Sequence, residues 1–214
     1  MSISQLVKFS ILLNYLAFII GIFRYRYFTK ELKTFFYFVA FGVLTETYTK
    51  FHQHFIMKST TPIGHFYFPI AFFILTLFYY QLLNKYIRPI YFFIVIGAYE
   101  IYCIINPLLI QSLLEYSSLV GAIGALIVFI FSVAFFIKIM TEAKIEKLSR
   151  EPLIWINTAV LIYYSFNFFF FSLYNLRVIA SIELARIAAG FFGVFNLLFY
   201  SIITAGFIIS KKAD

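Results

Sequence analysis

Long apolar runs broken at near-regular intervals by short polar segments fill almost the whole chain. Seven of them fall at 4–23, 34–56, 63–84, 88–106, 117–140, 152–174 and 183–209, each close to the roughly 20 residues a helix needs to cross a hydrocarbon layer. The interruptions carry charge and proline. Lys85 and Arg88–Pro89 divide the third run from the fourth, Asn106–Pro107 closes the fourth, and Glu151–Pro152 opens the sixth, where proline suits a first helical turn. The runs are too long and too continuously apolar for barrel strands, which alternate. The pattern therefore predicts an all-α, polytopic membrane protein with seven transmembrane helices, forming a single domain over 1–214. No small-x-small cleavage site precedes the basic segment RYRYF after the first run, so that run is expected to stay as an uncleaved helix.

The basic residues orient these spans. Arg24, Arg26, Lys30, Lys33, Lys85, Arg88, Lys138, Lys144, Lys147, Arg150, Lys211 and Lys212 collect at one end of the runs, whereas Lys8, Lys50, Lys58, Arg177 and Arg186 lie toward the other. Positive charge is retained in the cytoplasm, which predicts the N-terminus outside and the C-terminus cytoplasmic.

Composition agrees with the pattern and narrows the function classes. Hydrophobic residues make up 63% and charged ones 12%, against roughly 45–50% and about 25% in soluble domains. The net charge of +8 sits in short loops and is read as topology, with no nucleic-acid partner implied. A single cysteine, Cys103, rules out an internal disulfide and any multi-cysteine metal site. Richness in Phe, Ile, Tyr, Lys and Asn fits an AT-rich bacterial genome, so the expected location is the bacterial inner membrane and single aromatics carry little information. Segment 141–151 holds Glu146–Arg150 and Lys147–Glu151 at i,i+4 spacing, which predicts a helical extension and offers a docking surface to a cytoplasmic partner. The segment PLLIQSLLEYSS suits an interfacial position.

Candidate chemistry lies in the polar residues that interrupt the runs. The stretch TETYTKFHQHF, residues 45–55, holds a glutamate, a lysine and two of the three histidines inside the second run. A charge within a span costs about 2.5–3.5 kcal/mol at the centre and normally faces the bundle interior or water. Glu46 and Lys50 share a helix face as a self-neutralising pair or as the charged wall of a pocket, and His54 continues their stripe. His52 points nearly opposite to His54, so a metal site is not expected there, and no cofactor is implied. Helix direction brings Glu46, Glu100 and Asn167 to the middle or outer half, with His65, Glu183 and Arg186 at the starts of inward-running helices. Tyr99, Tyr163, Tyr164 and Asn196 join them as candidate pocket liners, because a buried Tyr or Asn needs a partner. This pocket is expected between helices 2, 4, 6 and 7. Gly121 with Ala125, and Ala189 with Gly193, read instead as helix-packing positions.

FGVLTETYTKF (41–51) overlays TAVLIYYSFNF (158–168), and FFILTLFYY (72–80) overlays FGVFNLLFY (192–200). The match suggests a three-plus-one-plus-three repeat with helix 4 as the odd one out. In this architecture the chain resembles the seven-helix superfamily that joins SWEET-type sugar transporters, microbial rhodopsins and related carriers. Through LTETY and TPIGHFYFP it is also similar to seven-helix inner-membrane proteins of Bacteroidota. Departures restrict what the resemblance implies. The seventh run, GFFGVFNLLFYSIITAG, has no retinal-binding lysine, and the Pro-Gln pair of PQ-loop carriers is absent. The three histidines and aspartate of ceramidase-like and adiponectin-receptor-like hydrolases are missing, since no histidine follows His65 and the only aspartate is Asp214. The same lack of intramembrane aspartates separates the chain from lysoplasmalogenase-like enzymes.

The expected function is a small-molecule sensor or carrier with an outward-opening polar pocket in the bilayer. A lipid-modifying enzyme using Glu46 or Glu100 as base with a histidine is the alternative from another class. A helical subunit whose charges pair with a second membrane protein is a third, and a homo-oligomer stays open.

Overall fold

The computed structural model describes residues 3–56, 59–142, 148–175 and 182–210. Seven α-helices form there: α1 (Ile3–Arg24), α2 (Lys30–Phe55), α3 (Thr61–Leu83), α4 (Pro89–Leu109), α5 (Ser118–Glu142), α6 (Pro152–Asn175) and α7 (Ile182–Ile209). Their limits follow local chemistry. Thr29 caps α2 by accepting from the Leu32 amide, and Pro62, Pro89 and Pro152 occupy first turns, where a missing N–H costs nothing. Pro107 does not end α4, contrary to the sequence reading. It sits in the last turn, so the helix loses little and runs on to Leu109.

Six helices are long and apolar enough to cross a membrane: α1, α3, α4, α5, α6 and α7. The chain thus has the architecture of a multi-pass membrane protein. α2, with 26 residues, has the length but is diluted by Glu31, Lys33, Glu46, Lys50 and its threonines. Even so, it turns Tyr37, Leu44, Tyr48, Phe51 and Phe55 outward as an exposed stripe, at the 3–4 and 7-residue spacing of one helix face.

The helices pack in the cyclic order α1, α2, α3, α5, α6, α7 and back to α1, with α4 on the outside against α3 and α5. α4 accordingly buries one stripe, Phe92, Tyr99, Cys103 and Asn106. Connections alternate between two faces of the bundle. The N-terminal face carries the α2–α3 and α4–α5 connections, and the C-terminal face carries α1–α2, α3–α4 and the end of α7.

The half toward the C-terminal face is solid. Phe35 meets Phe78 at 5.2 Å between ring centroids and Phe28 meets Phe207 at 4.9 Å, among the fully buried Leu75, Ile156 and Ile203. A polar knot crosses this core. Tyr79 donates to Asn157 Oδ1 at 2.8 Å, Ser132 donates to the same oxygen at 2.9 Å, and the Asn157 amide donates to the Ser132 carbonyl at 3.0 Å. All three residues are wholly buried. Removing the shared acceptor strands a buried phenol, a loss of about 1–3 kcal/mol. Asn157→Leu is therefore expected to lower the unfolding midpoint in detergent while Ser201→Ala, at a half-buried hydroxyl bonded to its own helix, leaves it near wild type.

Two basic residues of the C-terminal face close helix ends. Arg24 donates to the carbonyls of Ile208, at 2.8 Å, and Ser210, and Lys138 donates to the Leu82 carbonyl at 2.7 Å. Carbonyls left over at α7 and α3 termini are satisfied in this way. The i,i+4 pairs predicted over 146–151 lie outside the described residues, and Leu148–Arg150 form a short 3-10 turn.

Candidate functional site

Toward the N-terminal face the ring is hollow. A cavity of about 280 Å³, just below the roughly 300–1,000 Å³ of ligand pockets, is walled by every helix. α3 contributes from Thr60 and Gly64 through Tyr67, Phe68 and Phe72 to Leu75, a depth of about 22 Å at 1.5 Å per residue. α5 gives Gly121, Gly124, Ala125 and Val128, and α2 gives Gly42, Thr45, Glu46 and Thr49. From α6 come Tyr163, Tyr164, Asn167 and Phe171, from α7 Phe192, Asn196 and Tyr200, and from α1 Asn14. α4 reaches the space through Tyr99 alone, between the flanking helices.

Small residues on α5 make this possible. A methyl group at Gly124 would stand 2.5 Å from the Tyr99 hydroxyl, and one at Gly121 would stand 2.8 Å from the Phe171 ring. Tyr99 enters across Gly124 and donates to the Val120 carbonyl at 3.1 Å.

The polar lining is concentrated around one carboxylate. Glu46 lies within electrostatic range of the hydroxyls of Tyr67, Tyr163 and Tyr200. These tyrosines are only partly covered by protein because they border the cavity. Tyr163 donates to Asn196 Oδ1 at 3.2 Å, while the Asn196 and Asn167 amides donate to backbone carbonyls one turn earlier, Phe192 at 2.9 Å and Tyr163 at 2.8 Å. The Oδ1 atoms of Asn14 and Asn167 have no hydrogen-bond partner, although the two residues are only 5% and 2% exposed. A buried carbonyl left unpaired is costly, and these two stand on the wall of the cavity.

Of the candidates named from sequence, Glu46, Tyr99, Tyr163, Tyr164, Asn167 and Asn196 line this one space. The others stand elsewhere. Lys50 pairs with Glu46 at 3.9 Å with its side chain about half exposed, outside the lining. His54 is exposed and packs edge-on to Phe55 at the end of α2. His65 is buried and donates through Nε2 to the Glu115 carbonyl at 3.0 Å, holding the α4–α5 connection. Glu100 sits on peripheral α4, one residue round from the buried stripe, and does not reach the cavity. The side chain of Arg186 lies outside the described residues, as do Lys58, Arg177 and the side chain of Glu183.

Asn14, Thr45, Thr49, Tyr67, Tyr116 and Tyr200 complete the polar wall without having been singled out. Asn14 had a signal, being a lone amide in the middle of the first apolar run. The tyrosines had none in a chain with 17 of them.

Among the described residues no group of three or more His, Cys, Asp or Glu gathers as metal ligands, and no histidine nitrogen lies within 4.0 Å of a carboxylate. No lysine or arginine lines the cavity among those residues. What the arrangement can do is bind: one carboxylate, free amide carbonyls and several phenols face each other between aromatic walls formed by Phe68, Phe72, Phe171 and Phe192. No family model matches the chain, and no curated protein or solved structure matches it.

Proposed function

We propose that the chain is a seven-span membrane protein that binds a small molecule in this cavity from the outer side of a bacterial inner membrane, as a sensor or carrier. The observation that carries the reading is the pair of buried, unpartnered amide oxygens on the wall of a cavity that also holds Glu46. The lipid-modifying alternative is less well supported, because Glu46 and Glu100 each lack a neighbouring histidine.

The outward-facing stripe on α2 supports its crossing the bilayer as the seventh span, with its polar side turned to the cavity. The cyclic packing order supports the repeat. In that order α1, α2 and α3 are followed round the ring by α5, α6 and α7 in the same sequence, with α4 outside. In the sequence overlay Glu46 corresponds to Tyr163 and Phe72 to Phe192, and all four line the cavity.

Sensor and carrier differ at the cavity floor. A carrier must open the knot of Tyr79, Ser132 and Asn157 to the C-terminal face; a sensor keeps it shut. Thr49→Cys and Ser132→Cys, each in a Cys103→Ser background, separate the cases with membrane-impermeant maleimide applied from either side. Labelling of Thr49→Cys from outside is expected for both. Added labelling of Ser132→Cys from the cytoplasm identifies a carrier. Reaction of Thr49→Cys from the cytoplasmic side alone contradicts the orientation, as would a periplasmic signal from reporters fused after Lys33, Arg88 or Arg150.

A further inference from the structure

The proposed binding function leaves the ligand open, and the inference here rests on that reading. The cavity wall carries buried acceptors that no neighbouring group uses. Asn167 and Asn196 each give one amide N–H to a backbone carbonyl of their own helix, which turns both Oδ1 atoms the other way. The Asn196 oxygen is taken by Tyr163, whereas the Asn167 oxygen is free, as is that of Asn14. With the Glu46 carboxylate, these two buried oxygens give the cavity wall three groups that accept from a donor-rich ligand.

Their placement is coherent. A methyl group built at Gly42 would meet the Tyr200 hydroxyl at 3.6 Å and the Asn14 amide nitrogen at 4.0 Å, so α1 and α7 face α2 there, one helical turn from Glu46. Asn167 stands one turn from Tyr163, whose hydroxyl feels the Glu46 charge. We infer that the ligand is a small protonated amine, its ammonium set against Glu46 with Asn14 and Asn167 taking further N–H donors, and its carbon frame against the aromatic wall.

Three points favour this class. An ammonium offers three donors and no acceptor, the complement of a carboxylate and two free carbonyls. Aromatic faces attract a cation, and Tyr67, Phe68, Phe72, Phe171 and Phe192 supply them. An anionic ligand would meet Glu46 with no lysine or arginine in the described wall to offset the repulsion. Lys50 already stands as an ammonium beside Glu46, in an ion pair of 3.9 Å with no hydrogen bond, a contact weak enough to be given up.

The test uses the full chain in lipid nanodiscs with three four-carbon probes, butylammonium, butan-1-ol and butyrate, and with glucose. Saturable binding, read by calorimetry and by the thermal midpoint, is expected for butylammonium, with affinity weakened roughly tenfold or more by Glu46→Gln. Asn167→Leu is expected to weaken it as well, and Asn14→Leu serves in its place if that variant does not fold. Binding of butylammonium unchanged in Glu46→Gln overturns the inference. Preferred binding of glucose, butanol or butyrate, blocked by Gly42→Trp, overturns it too but leaves the cavity reading standing. Silence from all four probes also overturns it, and the cavity reading is then judged separately by retention of a co-purified small molecule.

Discussion

Glu46→Gln is expected to fold and to lose binding of the small molecule proposed for the cavity. Glutamine keeps the volume and most of the hydrogen-bonding capacity of glutamate while removing a charge that, in the seven-span arrangement proposed above, is costly to hold in the bilayer, so yield and monodispersity in detergent should match or exceed wild type. Binding should fall by about 1.5–3 kcal/mol, the range for hydrogen bonds to charged groups. The competing account is that Glu46 only neutralises Lys50. Their contact is 3.9 Å long, at the outer limit of an ion pair. A cycle with Lys50→Met separates the two. Recovery of occupancy in the double variant would reduce TETYTK to a self-balanced piece of helix, whereas continued loss assigns the charge to the cavity.

Gly42→Trp is expected to abolish occupancy. At Gly42 a first side-chain carbon makes only ordinary contacts, at 3.6 and 4.0 Å, so Gly42→Ala should fold and bind almost normally. An indole at this position has only the cavity to enter, where it would lie between Glu46 and Asn14. Gly121 and Gly124 behave differently, because a methyl group there runs into Phe171 or Tyr99. Gly124→Ala is expected to cost about 1–3 kcal/mol of stability as an overpacking change, measured by detergent unfolding. The contrast separates filling the space from damaging its walls.

Helix positions were legible because span length and loop chemistry are written locally. The second run predicted at 34–56 is α2, Lys30–Phe55, and the fifth predicted at 117–140 is α5, Ser118–Glu142. The extra turn at the start of α2 comes from the Thr29 cap. The order of packing was not legible, since lipid-facing and protein-facing sides are equally apolar in such a chain. Glu100 on α4 shares a depth with Glu46 along the sequence, and only the packing puts α4 outside the ring. Charged and amide residues on helices 2, 6 and 7 could be found because they are rare in apolar runs. Tyr67 and Tyr200 could not, because nothing separates a cavity tyrosine from a lipid-facing one without a neighbour.

The central claim is that the hollow half of the bundle holds a small molecule. Native mass spectrometry of the protein released from its own membrane, beside Gly42→Trp and Gly42→Ala prepared at matched yield, tests it without knowing the ligand. A bound species of low mass carried by wild type and Gly42→Ala and missing from Gly42→Trp is the predicted result. Equal small-molecule content in all three proteins would contradict the account.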